Sequence, residues 1–374
     1  MAKAKKRIRF RPILVSMLYW VAALTIFGFI RLYGLDKEGL YTLTQPQIPL
    51  LMIIIFQGVG MGLVIGAIYG LLDQVLRLDQ LRELTYGWIV LIRTGIHLLV
   101  IPILVFVAIF VSFFFFFEAP LAAIWQTLNK AILQPTVLLV FIYTAIFSFI
   151  YNAFRQIAEM FGPGLLLKIM LGRYHQPKEE ERVFMFLDLR SSTEYGEKLG
   201  HVLYSQLLQD CFVDLTEAVS EHQAEIYQYV GDEVVLTWTM EAGLEKANCL
   251  WAYYTFMASI EKRSRYYFEK YDIIPAFKAG VNLGKVMVAE VGIIKKEIAF
   301  HSDVLNTAAR IQGQCNALGK SLLVSPELVR AIEDWNGLSF AEVGSVSLKG
   351  KAKKMLLYSV EKAQEQASEL SVPR

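Results

Sequence analysis

Apolar and polar residues follow one another on two different length scales along this chain, and the change falls near residue 155. Before it the pattern is coarse. Four stretches hold no Asp, Glu, Lys or Arg: Ile13–Ile30, Ile48–Leu72, Thr94–Phe117 and Ala131–Phe154. Each approaches or exceeds the roughly 18–20 residues that cross a hydrocarbon core as a helix, so the pattern predicts four membrane spans over residues 1–155. The first follows a basic run, Lys3, Lys5, Lys6, Arg7, Arg9 and Arg11. It lacks a small-residue cleavage site and reads as an uncleaved span. The positive-inside rule then keeps the N-terminus cytoplasmic, and four spans return residue 155 to the same side. Gly58, Gly60, Gly62, Gly66 and Gly70 recur in the second span, where small residues allow close helix contact, within one bundle or along a dimer seam. Arg93 and His97 lie one turn apart in the third and read as a snorkelling Arg beside a packed His, with a sensor or ion site as the alternative.

Beyond residue 155 the periods shorten. Residues 156–181 read as a linker, with a short apolar helix at Leu165–Leu171 and a charged boundary, Lys178-Glu179-Glu180-Glu181-Arg182. Val183–Leu189 is a continuous apolar strand. A helix from Thr193 to about Glu221 carries a stripe of Leu199, Leu203, Leu207, Cys211, Leu215 and Val219. Ala224–Val230 and Glu233–Trp238 form a hairpin across Gly231-Asp232, and a second helix spans about Glu241–Lys270. Ala276–Leu283 and Lys285–Val291 read as another hairpin with Gly284 at its turn. Asp303–Leu318 is a helix capped by Ser302 or Asp303. Ser321–Val324 is a strand, Pro326–Trp335 a short helix, and two strands end near Val360. The order β-α-β-β-α-β is the ferredoxin-like arrangement, and residues 362–374 form a flexible tail.

Composition agrees with a chain partly in lipid: 55% of residues are hydrophobic, 19% are charged and mean hydropathy is +0.41. A net charge of +2 argues against nucleic acid as a partner. Cys211, Cys249 and Cys315 form no CxxC pair and read as reduced thiols, and the five histidines show no ligand spacing. The chemistry sits elsewhere. Val183–Leu189 delivers Asp188 to the end of a buried strand, and buried strands rarely carry a carboxylate without a partner or a metal. Asp232 lies in the tight turn between two strands. A strand-end Asp and a turn Asp could hold a divalent metal over a phosphate chain.

FLDLRSST, YVGDEVV, AGVNLGKVMVAEVG and DVLNTAARIQ, in that order, resemble the class III nucleotidyl cyclase catalytic domain over about residues 182–361. The fold expected is therefore an α-helical transmembrane bundle followed by an α+β ferredoxin-like cyclase domain. The resemblance implies two Mg²⁺ or Mn²⁺ ions held by Asp188, Asp232 and the carbonyl of Leu189. It implies phosphate binding by the segment Arg190, Ser191, Ser192 and Thr193 at a helix N-terminus, by Lys278, and by Lys349 or Lys351. It assigns Asn306 to the ribose and Arg310 to the transition-state phosphate. These two are four residues apart, hence on one helical face. At the base-reading positions the sequence departs from the family. Gln228 stands where adenylate-specific members carry Lys and guanylate-specific ones Glu; Ala299 stands where Asp or Thr is usual. A Gln amide can donate or accept, so ATP is expected from the family's commonest activity, with GTP or a pyrimidine triphosphate open.

The family builds its sites between two subunits, one giving both Asp residues and the other Asn and Arg. One chain with both sets implies a homodimer. The expectation is an inner-membrane, multi-pass cyclase whose catalytic half is cytoplasmic and whose partners are the triphosphate, lipid and its own copy. The rival is a non-catalytic membrane receptor with a cyclase-like domain.

Overall fold

The computed structural model describes residues 10–30, 50–75, 84–100, 135–162, 165–347 and 354–363. The chain divides into two compact units, Met1–Met160 and Phe161–Arg374.

In the first unit the described helices are α1 (Phe10–Ile30), α2 (Leu50–Val75), α3 (Tyr86–Val100) and α4 (Pro135–Phe161). Two described stretches, Pro12–Ile30 and Leu138–Met160, are long and apolar enough to cross a membrane. The third predicted span begins earlier than its apolar run, at Tyr86, and Ile101–Phe117 lies outside the described residues. The glycines of α2 have a definite job. A Cβ on Gly58 would lie 2.7 Å from Thr25 Oγ1 and one on Gly70 2.8 Å from Ile13 Cα; Gly62 and Gly66 meet Val21 and Met17 backbone just as closely. The stripe therefore seats α1 directly on α2, which is packing within one bundle. Gly60 faces open space.

Beside a small buried core of Trp20, Ala23, Ile65 and Tyr69, this unit buries polar side chains and exposes many aliphatic ones. Ser16, His97, Ser148 and Asn152 are buried, while Leu18, Leu99, Leu138, Ile146 and Phe154 are exposed. His97 stacks on Tyr69 with centroids 3.8 Å apart, and its Nδ1 lies 2.8 Å from Ser148 Oγ. Asp73, at the end of α2, is buried and ion-paired with Arg155 of α4. Arg93, expected to snorkel, comes within 3.8 Å of Glu159.

The second unit begins with α5 (Leu165–Met170), then β1 (Lys178–Leu189), α6 (Ser192–Glu221), β2 (Glu225–Val230) and β3 (Glu233–Thr239). Next come α7 (Met240–Leu244), α8 (Asn248–Lys262) and α9 (Ser264–Tyr271), then β4 (Phe277–Val291), β5 (Glu297–His301) and α10 (Asp303–Gly313). β6 (Leu322–Val324), α11 (Pro326–Ala331), β7 (Leu338–Val346) and β8 (Met355–Lys362) complete it. The sheet runs β2-β3-β1-β4-β6-β8-β7, with β5 on β4. Its first four strands, antiparallel to one another, have the ferredoxin-like order, and β6 joins β4 in parallel.

β1 is apolar on both faces because both are covered. Val183, Met185, Leu187 and Leu189 join one core with Leu207, Cys211 and Leu215 of α6 and Phe256 of α8. Phe184 and the half-buried Phe186 belong to a second core with Ala308 of α10. By strand alternation Asp188 shares the α10 face.

Five expectations need correction. β1 starts at Lys178, inside the expected linker, because buried Arg182 is neutralised by Glu180 at 3.0 Å and Glu225 at 2.8 Å. Gly284 is no hairpin turn. β4 runs fifteen residues straight through it and pairs with the whole of β1; the reversal comes near Gly292, where β5 folds back. The single helix expected at Glu241–Lys270 is three pieces, broken at Lys246 and Ala247 in the left-handed region and again at Arg263. In α6, Gly200 leaves helical geometry (φ 69°, ψ 168°) and Leu203 of the predicted stripe is exposed. Finally, α10 stops at Gly313; its cap is Ser302, whose Oγ accepts from Val304 N at 3.1 Å.

Candidate active site

Three adjacent interior strands place a row of charges at one end of the sheet, where β1 finishes and β3 and β4 begin. Lys278 on β4, Asp188 on β1 and Glu233 on β3 are register partners, and Asp232 sits beside Glu233 in the β2–β3 turn, which Gly231 closes at φ 63°. Lys278 Nζ lies 3.1 Å from Asp188 Oδ2. Gln312 Nε2, from α10, donates to the same oxygen at 2.9 Å. Burial and the neighbouring Asp232 charge raise the Asp188 pKa against the opposing pull of Lys278 and Gln312. Burial, Asp188 and Asp232 push Glu233 up to about 7. Carboxylates crowded this way favour protonation or a hard cation. The donor set thus fits a divalent ion, although among the described residues no three His, Cys, Asp or Glu side chains form a ready-made metal cage.

A pH dependence follows. The folded, metal-free protein holds a proton on Glu233 that the unfolded chain, near its ordinary 4.5, has released by neutral pH. Its stability therefore falls as pH rises from about 4.5 through about 7, and Asp188 adds to the same trend. In EDTA the melting temperature is expected to drop by a few degrees between about pH 5 and pH 8. Glu233→Gln should flatten that slope. A flat or rising profile in the unmodified protein would contradict the clustering.

Arg190, expected at the phosphates, donates from Nη2 to the Lys320 carbonyl at 3.1 Å and to Ser321 Oγ at 2.8 Å, tying the end of β1 to the approach of β6. Ser191 turns the chain in a left-handed conformation (φ 54°) into α6. The first helical bond is Tyr195 N to Ser191 O at 2.9 Å, so the N–H groups of Ser192, Thr193 and Glu194 precede the ladder. Gln228 is exposed on β2 opposite Val235, and Ala299 is half-buried on β5 opposite Ala289. Their sequence neighbours Tyr227 and Phe300 meet edge to face at 4.9 Å. Lys349 and Lys351 lie outside the described residues.

α10 separates two functions by its faces. Thr307, Ala308, Ile311 and Gln312 are buried, Asn306 is exposed and Arg310 half-buried. At about 100° per residue, Arg310 and Asn306 lie about 160° and about 120° round the axis from Gln312. Gln312 reaches this chain's Asp188; Asn306 and Arg310 point elsewhere and have no hydrogen-bond or ion-pair partner among the described residues. The helix can lie this close because of Gly280, where a Cβ would come 2.6 Å from both Ala308 O and Gln312 Cα. Gln312 is the contact sequence reasoning missed. Its signal was a polar side chain four residues after Ala308, within the apolar stripe of an amphipathic helix.

Residues 174–362 match the family described as the adenylate and guanylate cyclase catalytic domain. Over 205 residues the chain is 29% identical to adenylate cyclase 2 of Rhizobium meliloti (strain 1021), covering 55% of this chain and 56% of that protein. It is 24% identical to adenylate cyclase 1 of the same organism, covering 48% of this chain and 27% of that one. The chain thus spans about half or less of the length of these curated relatives. A solved bacterial light-regulated adenylyl cyclase superposes with a TM-score of 0.51 at 18% identity, over 61% of this chain and 68% of its own. At that identity the likeness concerns the fold.

Proposed function

This chain belongs to the adenylate and guanylate cyclase catalytic-domain family, and we propose that it converts a nucleoside triphosphate, ATP foremost, to the 3′,5′-cyclic monophosphate and pyrophosphate. The observation that carries the reading is the row of Lys278, Asp188 and Glu233 beside Asp232, on a sheet whose neighbouring helix presents Asn306 and Arg310 outward. In this reading Asp188, Asp232 and the Leu189 carbonyl hold two divalent cations. Once bound, these neutralise triphosphate charge and lower the pKa of the ribose 3′-hydroxyl. The chain's own residues do the rest. Lys278 and the N–H groups opening α6 bind phosphate oxygens. Asn306 orients the ribose, and Arg310 meets the charge that develops on the α-phosphate.

The geometry of α10 favours a shared site. A residue facing away from its own Asp188 serves a second copy's carboxylates, so a two-fold dimer completes two equivalent sites. The first unit supports anchoring in a membrane: several polar side chains are buried and many large aliphatic ones are exposed, the arrangement expected where lipid replaces water. With four spans and a cytoplasmic N-terminus, the catalytic unit is cytoplasmic.

ATP is favoured by the adenylate cyclase relatives. Gln228 and Ala299 keep GTP open, because a Gln amide can present either face of its hydrogen-bonding group. The test offers ATP, GTP, CTP and UTP together, with Mn²⁺, to the full-length protein in vesicles and identifies products by mass spectrometry. Cyclic AMP is the expected product. Cyclic GMP alone would overturn the base assignment, and no product at all would leave the chain a receptor with a cyclase-like domain.

A further inference from the structure

Asp188 Oδ2 receives two donors from different elements, Lys278 of the neighbouring strand at 3.1 Å and Gln312 of the helix packed on the sheet at 2.9 Å. The other oxygen, Oδ1, has no hydrogen-bond partner among the described residues, and Asp232 is close enough for its charge to act on this carboxyl. Gln312 is 6% exposed, too buried to be a casual surface contact, and its amide adds a donor without adding charge. The approach depends on the bare Gly280 backbone beneath α10. The last torsion of a carboxylate is broad; two donors on one oxygen narrow it and leave the second oxygen free to accept a cation.

We propose that Gln312 is a positioning residue, which sets the orientation of the Asp188 carboxylate for cation binding and ties it to the helix that carries Asn306 and Arg310. The inference rests on the cyclase reading and the shared site proposed above. If both hold, α10 touches two sites at once: its outward face belongs to the partner's site, and Gln312 to its own. Substrate closing on Arg310 in one site then acts on the metal carboxylate of the other through one rigid helix.

The test separates positioning from mere support of the helix. Two differently tagged full-length copies are co-expressed, one Asp188→Asn and one Arg310→Ala, and the heterodimer is purified. Its single competent site takes Asp188 from the Arg310→Ala copy and Arg310 from the other. Gln312→Met, close in size but without a donor, is added to either copy. In the copy that supplies Asp188 it should raise the Mn²⁺ concentration for half-maximal activity about tenfold, the lower end for loss of an outer-shell partner. In the copy that supplies Arg310 it should leave that requirement unmoved. Equal shifts from both placements, or none from either, overturn the proposal. If the heterodimer is inactive before Gln312 is touched, the shared-site reading has failed. The inference is then judged on the Gln312→Met homodimer, by electron paramagnetic resonance of Mn²⁺ with a 3′-deoxy nucleoside triphosphate. Weaker Mn²⁺ binding than in the unmodified protein sustains it, and equal binding ends it.

Discussion

Asp188→Asn is expected to abolish cyclic nucleotide production, with kcat/KM down by about three orders of magnitude or more, on the scale of removing a principal charge-stabilising group. The substitution is nearly isosteric. The half-buried site keeps its shape and the amide oxygen still accepts from Gln312 at the position now 2.9 Å away. What disappears is the negative charge that would hold a hard cation. The native carboxylate's pKa is raised by burial and by Asp232, so neutralising it relieves crowding in the metal-free protein. Stability is therefore expected to hold or to rise slightly in EDTA while activity vanishes. A melting temperature that collapses along with activity would mean Asp188 is a structural carboxylate. Mixing this variant with Arg310→Ala should restore about a quarter of unmodified activity. Random pairing in a two-fold dimer makes half the dimers mixed, each with one competent site of two. No recovery would rule out a site shared between copies.

Arg310→Ala should lower kcat by about two to three orders of magnitude with a small change in KM, the signature of a contact made chiefly in the transition state. Arg310 is half-buried on the outward face of α10, with no ion pair among the described residues. Its loss therefore leaves no buried charge uncompensated, and the melting temperature should stay within a degree or two of the parent. Arg310→Lys should rescue little. A planar guanidinium grips two phosphate oxygens at once, whereas an ammonium is a point charge on a flexible stem. Single-turnover kinetics with saturating Mn²⁺ check this. A variant that binds substrate poorly but turns it over at the parental rate would place Arg310 in ground-state binding.

Most of the ferredoxin-like half could be read along the chain, because its signals are local. The apolar run of Val183–Leu189, the Gly231-Asp232 turn and the Ser302 cap each announce themselves within a few residues. So did the candidate site residues at Asp188, Asp232, Asn306 and Arg310, since their types and spacings recur as motifs. The misreadings came where long-range pairing overruled a local cue. Gly284 looks like a turn but lies inside β4, because β1 pairs with that strand from end to end and holds it extended. Arg182 looks like a solvated boundary but is buried, because Glu225, forty-three residues later, arrives to neutralise it. The helix expected at Glu241–Lys270 has apolar residues enough for one element. The chain nevertheless breaks at Lys246 and Ala247, in the left-handed region, and again at Arg263.

The amino-acid order alone settled which carboxylates, amide and guanidinium the chain carries, and that long uncharged apolar runs fill much of its first 155 residues. Those properties belong to composition and short-range periodicity. The tertiary structure decided how they face. Bare Gly280 lets α10 lie on the sheet, which turns Gln312 toward Asp188 and Asn306 with Arg310 away from it. Gly58, Gly62, Gly66 and Gly70 of α2 seat α1 and so spend themselves inside the bundle. Spacing along a helix shows which residues share a face; which face meets the sheet depends on contacts between segments more than a hundred residues apart, as between Asp188 and Gln312.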